Sequence, residues 1–358
     1  MSAAPAPRPS RAAIAELRSF AITGLFVLAV FYTLHLGKEF FLPIALALFL
    51  AMLLRPVVQW LRRLRVPAAL APLLVLGLLV AGAGAGLYQA WEPASDWVDR
   101  APRDLRNLES KVRKLLRPVQ NVTRTAQQVD QIAEVTGTTA APTVEVKHAS
   151  ISATIFGGAK DVAAGALIVL VLSYFFLASG DQFMRKLPRV LPRQHAERMV
   201  AIVGETESQI SRYLLAVTLI NLAVGCITAG IMAALGMPTP LLLGVIAAVF
   251  NYVPYFGPAV MSALLAMIAL ISFDEPSKAL IAPALYLCVH AVETNFATPH
   301  LLGRRLPLNP LAIFLGFLFW WWIWGVAGAA LAVPILVAIK IVADKTESLA
   351  GVGEFLGR

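Results

Sequence analysis

The segment His290-Ala-Val-Glu293-Thr-Asn295-Phe-Ala-Thr-Pro299 places an imidazole, a carboxyl group and a carboxamide at the end of a long apolar run. Glu293 has no Lys or Arg within four positions on either side. A carboxylate in hydrocarbon is costly, so it must be protonated, paired in space or facing water. His290 and Glu293 stand three apart, and Ala291 and Asn295 four apart, so a helix gathers these groups on adjoining parts of one face. Two readings are open. Glu293 is a functional buried group, or it marks the interfacial end of its span.

A second stretch, Asn251-Tyr-Val-Pro254-Tyr-Phe-Gly257-Pro258, interrupts another apolar run. The two prolines remove two backbone donors and Gly257 loosens the chain, so the helix must break there. Backbone left unpaired at membrane depth survives only where protein or a water-filled cavity satisfies it. Broken helices of this kind form substrate and ion sites in transporters, through freed carbonyls and half-helix ends. The plainer alternative is a proline kink packed between neighbours. Arg304 and Arg305 then lead through Leu306-Pro-Leu-Asn-Pro310 as a stiff linker, and either arginine could partner Glu293, an anionic substrate or lipid headgroups.

These residues must be positioned by helices in a bilayer. Of 358 residues, 58% are hydrophobic and only 14% charged, whereas a soluble domain carries about 25% charged residues. The net charge of +9 does not point to nucleic acid, because the basic residues sit between apolar runs and form no stripe interleaved with aromatics. Cys226 and Cys288 both fall inside apolar runs and read as filler, so neither a disulfide framework nor a zinc site is expected. No HExxH, GxSxG, Walker A or CxxC motif is present. No enzyme activity and no cofactor are expected.

Bilayer-length stretches need about 20 apolar residues. They run Ser19–Leu36, Phe40–Leu54, Val66–Trp91, Val162–Ser179, Tyr213–Leu235, Leu241–Ser272, Ala279–Ala297 and Leu311–Ile339. The expected fold is therefore all-α, a polytopic membrane protein of about eight transmembrane helices. Leu241–Ser272 is read as one broken crossing; a re-entrant hairpin is the alternative and would reverse the sidedness of the last two spans. The basic loops Arg55–Arg65 and Asp181–Arg212 are assigned to the cytoplasm, which leaves residues 92–150 outside. Within that insert Leu105, Leu108, Val112, Leu115, Val119, Val122, Ala126, Val129 and Ala133 follow heptad spacing, interrupted at Pro118. The stripe packs on its own membrane domain or on a neighbouring subunit. Gly82 and Gly86 fit a small-xxx-small helix contact. Trp320, Trp321, Trp322 and Trp324 read as a lipid-facing or interfacial belt. The resulting layout has a disordered tail at 1–18, three helices over 19–91, and a helical extracytoplasmic insert at 92–150. Five helices with the transport core at 151–340 and a tail at 341–358 complete it.

Beyond these readings the chain resembles the autoinducer-2 exporter (AI-2E) family of bacterial membrane transporters. The likeness rests on Asn251-Tyr-Val-Pro254-Tyr-Phe-Gly257-Pro258, Glu293-Thr-Asn295 with Pro299, and Leu302-Gly-Arg304-Arg305-Leu306. It continues through Leu308-Asn-Pro310 and Trp324-Gly-Val-Ala-Gly-Ala-Ala-Leu-Ala-Val-Pro334. It implies about eight helices, a homo-oligomer in the bacterial inner membrane, and transport rather than catalysis. The family is associated with export of small signalling molecules and with sodium–proton antiport. Where many relatives carry an acidic residue at the start of the proline motif, this chain has Asn251, which argues against a carboxylate cation site there. The candidate substrate- or ion-binding residues are Asn251, Pro254, Gly257, Pro258, Glu293, Asn295 and Arg304. The expected function is secondary export of a small polar solute, with Na⁺/H⁺ antiport and a non-transporting membrane scaffold as the competing readings. The lipid bilayer and a small-molecule or ion substrate are the expected partners.

Overall fold

The computed structural model describes residues 11–86, 88–89, 151–190, 193–273, 275–302, 308–346 and 349–357. The insert at 92–150 with its heptad stripe, and Arg304 and Arg305, lie outside the described residues. Every described element is helical or a turn, with no strand among them. In order they are α1 (Arg11–Leu36), α2 (Lys38–Arg63), α3 (Leu70–Gly86), α4 (Ile151–Val190), α5 (Arg193–Ala234), α6 (Pro240–Phe250) and α7 (Phe256–Ser272). Next come a single turn α8 (Pro276–Ala279), then α9 (Ile281–Val292), a π-helical turn over Glu293–Ala297, α10 (Thr298–Leu302), α11 (Pro310–Asp344) and α12 (Ala350–Leu356).

By length and composition alone, five described helical stretches suffice to cross a bilayer, Lys38–Arg63, Val162–Gly180, Met199–Ala234, Ser277–Leu301 and Pro310–Asp344, though the last is interrupted at Gly325. Shorter apolar helices complete the set of expected stretches. Large apolar side chains on α1 and α3, such as Leu25, Phe26, Leu74 and Leu78, face outward. In water that would be a liability; against lipid it is what a membrane helix requires. The protein is an all-α polytopic membrane protein.

Two of the eight apolar stretches double back instead of running on. A helix advances about 10 Å over seven residues, yet a side-chain carbon placed on Gly257 would run into the carbonyl oxygen of Phe250. The end of α6 and the start of α7 therefore lie side by side, joined by the turn Asn251–Tyr255. The break at the proline motif is present as expected, but the single broken crossing is not: α6 has 11 residues and α7 has 17, and neither is as long as the roughly 20 residues a span needs. The second reversal was not foreseen. Inside α11, Gly325 adopts φ 65 and ψ −144, a conformation that L side chains avoid. Gly328 then lies against the carbonyl of Trp320, and Gly316 against Leu336. Both pairs straddle the same point, so α11 is a helical hairpin folded at Gly325, not the single span Leu311–Ile339.

The chain forms two compact units. The first comprises Met1–Ala51, Ile168–Thr206 and Pro307–Arg358. In it the α11 hairpin buries Trp320, Ile323, Trp324, Leu331 and Ala332 against Phe31, Phe41, Leu42, Leu46 and Phe49. Trp320 and Trp324 are each only 8% exposed, whereas Trp322 is 61% exposed. The tryptophan belt is thus split: spacing on a helix sends neighbouring residues about 100° apart, and two of the four turn inward. Trp324 Nε1 donates to the carbonyl of Leu34 at 3.1 Å, one of the last carbonyls of α1, which have no partner within the helix. Lys340 is buried and donates to both oxygens of Asp344 at 3.0 Å and to the Gly353 carbonyl at 3.2 Å, tying α12 to α11.

The second unit comprises Met52–Leu167 and Glu207–Leu306. Here α5 and α6 cross closely, because neither Gly225 nor Gly244 carries a side chain. A carbon at Gly225 would fall 2.7 Å from the Gly244 carbonyl, and one at Gly244 2.5 Å from the Gly225 carbonyl. Small residues allow this approach in membranes. Ser211 donates to the Met52 carbonyl at 2.6 Å, and Arg55 pairs with Glu207, which together fasten α2 to α5. The core of the unit gathers Ile220 and Val224 with Leu243, Met261, Leu265 and Tyr286, drawing on α5, α6, α7 and α9.

Candidate functional site

The tip of the α6–α7 hairpin is held by its side chains and left open in its backbone. Asn251 Nδ2 donates to Asn221 Oδ1 at 2.9 Å, and Tyr252 Oη donates to Thr218 Oγ1 at 2.9 Å. Thr218 and Asn221 are one turn apart on α5, so one helix face receives both contacts. The prolines act as expected, in that residues 254 and 258 have no N–H to give. Their effect falls elsewhere than expected. The carbonyls of Val253, Pro254 and Tyr255 are taken by the N–H groups of Gly257, Phe256 and Ala259. Among the described residues, it is the carbonyls of Asn251 and Tyr252 that accept no backbone hydrogen bond. Gly257 and Pro258 are buried, while Tyr255 and Phe256 face outward. Tyr255 carries φ 63, which is uncommon for a non-glycine residue and marks local strain.

Glu293 sits in a second cluster on the π-helical turn. Its side chain is only 13% exposed. Thr298 meets it twice, through its N–H to the Glu293 carbonyl and through its hydroxyl to Oε1 at 2.6 Å. In a regular α-helix residues five apart point about 140° away from each other; the wider turn brings them onto one face. His290 Nδ1 lies 3.1 Å from Oε2, near enough for an ion pair when the imidazole is protonated, but off the line of a directed hydrogen bond. Thr294 Oγ1 donates to Oε2 at 3.3 Å. The i,i+3 pairing of His290 and Glu293 was legible in the sequence; the contribution of Thr298 was not. Single-turn π segments recur at functional positions.

The other sequence candidates fare unequally. Asn295 spends its amide on the Ala291 carbonyl at 2.8 Å, within its own helix. Arg304 lies outside the described residues. The Glu293 carboxyl group is met by His290, Thr294 and Thr298, and the side chains of Asn251 and Tyr252 by Asn221 and Thr218. No group of three His, Cys, Asp or Glu side chains gathers among the described residues as a metal site would require.

Thr218 and Asn221 were missed by sequence reasoning. The only signal was an amide in the apolar run of α5, and its partner lies 30 residues away.

Comparison with known proteins bears on what such clusters serve. A family model described as AI-2E family transporter matches residues 22–348. The chain is 28% identical over 313 residues to the AI-2 transport protein TqsA of Escherichia coli K12, covering 87% of this chain and 88% of that protein. It is 28% identical over 334 residues to the putative transport protein YhhT of the same organism, at 90% of each chain. It is 26% identical over 312 residues to the putative transport protein YrrI of Bacillus subtilis, covering 85% of this chain and 86% of that protein. The likeness to these three transport proteins runs along nearly their whole length.

Proposed function

The chain belongs to the AI-2E family of transporters, and on that premise we propose that it exports a small polar solute, autoinducer-2 or a related metabolite. The observation that carries this reading is the hairpin tip at Asn251–Tyr255, where two backbone carbonyls stay open beside a pair of uncharged polar side chains. Freed carbonyls serve organic substrates and ions alike; the uncharged polar side chains beside them, with no carboxylate in Asn251–Tyr255, favour the organic solute. The name of the relative TqsA, an AI-2 transport protein, supports the same substrate class.

Export is coupled to protons through Glu293. A carboxyl group shielded from solvent, with one imidazole and two hydroxyls around it, is equipped to take up a proton on one side and release it on the other. The absence of a nucleotide-binding motif from the sequence fits a secondary rather than a primary transporter. The protein works in the bacterial inner membrane as a homo-oligomer. The glycines Gly77, Gly82, Gly84 and Gly86 of α3 have open space around them, which suits close approach of a neighbouring helix.

Purified protein in proteoliposomes tests the reading. Autoinducer-2 should leave loaded vesicles faster than from protein-free vesicles, and an inward proton gradient should accelerate it. Na⁺/H⁺ exchange without solute flux would establish the antiport reading instead, and no flux of either kind would favour a scaffold.

A further inference from the structure

Asn221 is 2% exposed, in the middle of the apolar span Met199–Ala234. Its Oδ1 accepts from Asn251, but its Nδ2 is buried and without a partner. Turning both carboxamides over exchanges the atoms and leaves Oδ1 of Asn221 as the unpaired one, so an unmet polar atom remains at this residue in either orientation. Two turns along α5, the hydroxyl of the fully buried Thr228 is likewise unpartnered. A buried polar group without a partner is destabilising, and native proteins keep few of them. In a membrane span the cost has a simple remedy, substitution of Asn221 by an apolar residue of similar size, and the chain has not adopted it.

We infer that Asn221, with the open carbonyls of Asn251 and Tyr252, forms the recognition site for the transported solute, and that this site selects an uncharged molecule bearing hydroxyl groups. Hydroxyls both donate and accept, so they satisfy the Asn221 amide in either orientation and the two carbonyls together. Among the described residues no charged side chain takes part in the contacts of Asn221, Asn251 and Tyr252, so an anionic solute would lose its hydration without compensation, and a bare cation, which carbonyl oxygens can hold, would leave the Asn221 Nδ2 donor unpaired. The contact of Asn251 with Asn221 also gives solute binding a mechanical consequence. A solute that competes for the Asn221 carboxamide loosens the hairpin tip from α5. This assignment rests on the export reading, and it names the residue and the solute chemistry that reading left open.

The test uses full-length protein in proteoliposomes, with autoinducer-2 as the neutral hydroxylated probe and ²²Na⁺ as the cation probe. Asn221→Leu should raise KM for autoinducer-2 about tenfold, the order expected for one lost hydrogen bond, with a smaller change in kcat. Asn221→Ser, which restores a donor and acceptor, should fall between the two; it also serves if the leucine variant does not elute as a single species. Autoinducer-2 should raise the melting temperature of the wild type and not of Asn221→Leu. If wild-type protein moves autoinducer-2 and both variants keep its KM, Asn221 is interhelical packing and the inference falls while export stands. If wild-type protein moves ²²Na⁺ and no autoinducer-2, the export reading itself falls and takes this site with it.

Discussion

Thr298 engages Glu293 at two levels, its N–H bonded to the Glu293 carbonyl and its hydroxyl 2.6 Å from the carboxylate. The same π-helical turn therefore shapes the backbone and holds the ionisable group. Glu293→Gln should abolish the acceleration of solute efflux by a proton gradient while leaving the protein folded and inserted. Thr298→Val should weaken coupling less, since it removes one hydrogen bond to a charged group, worth about 1.5–3 kcal/mol. Gradient-driven and passive efflux, compared in the same vesicles, read both effects. Wild-type coupling in Glu293→Gln would reduce Glu293 to an interfacial residue.

Gly257 admits no side chain, because the carbonyl of Phe250 occupies the place a Cβ would take. Gly257→Ala should destabilise the hairpin by about 1–3 kcal/mol, as overpacking does, and stop transport. Gly24→Ala on α1, where nothing lies within 4 Å, should leave efflux unchanged. Thermal melting in detergent together with efflux separates the two positions. Equal tolerance at both would mean that α6 and α7 do not turn back on each other.

The reversal at Gly325 predicts a matching sensitivity in the other unit. Gly325→Ala forces a Cβ into φ 65, and Gly328→Ala drives one into the Trp320 carbonyl. Both should lower the melting temperature, whereas Ala327→Gly, one position before the contact, should not do so by comparable clash. A disulfide between cysteines placed at Gly316 and Leu336, formed under mild oxidation, would report the two arms directly. A straight helix would hold these residues about 30 Å apart.

Lys340 secures the C-terminal helix through Asp344 and the Gly353 carbonyl. Lys340→Met should release α12, seen as faster amide hydrogen exchange over residues 350–356 with little change in α5. The expected loss is about 1.5–3 kcal/mol for hydrogen bonds from a charged group. Unchanged exchange would show that the buried Leu356, whose carbonyl also accepts from the Asn309 N–H at 3.0 Å, suffices to hold the helix.

By the positive-inside rule, Arg55, Arg62, Arg63 and Arg65 predict a cytoplasmic position for their loop. In a background lacking Cys226 and Cys288, a cysteine at the exposed Leu64 should resist a membrane-impermeant maleimide in intact spheroplasts and react after lysis. Labelling before lysis would invert the topology.

The sequence alone determined which segments are helices, because in lipid an apolar run must satisfy its backbone internally and a helix does so within a single segment. It also announced the break at 251–258, since two missing N–H groups are a local fact of Pro254 and Pro258. The pairing of His290 with Glu293 was legible for the same reason, three residues being less than one turn. What tertiary structure decided lies beyond that reach. Apolar residues run on past Gly325, so nothing in hydropathy distinguishes a hairpin from a long span; contact of Gly316 with Leu336, 20 positions on, makes the difference. Trp320 and Trp324 turn inward only because α1 and α2 supply a surface for them. Asn221 reads as a stray amide until Asn251 is brought beside it. Hydrogen bonding within a helix is set by neighbours in sequence, whereas the meeting of two helices is set by shape, and the small residues that permit it, Gly225 against Gly244 among them, have no periodic signature to announce their partners.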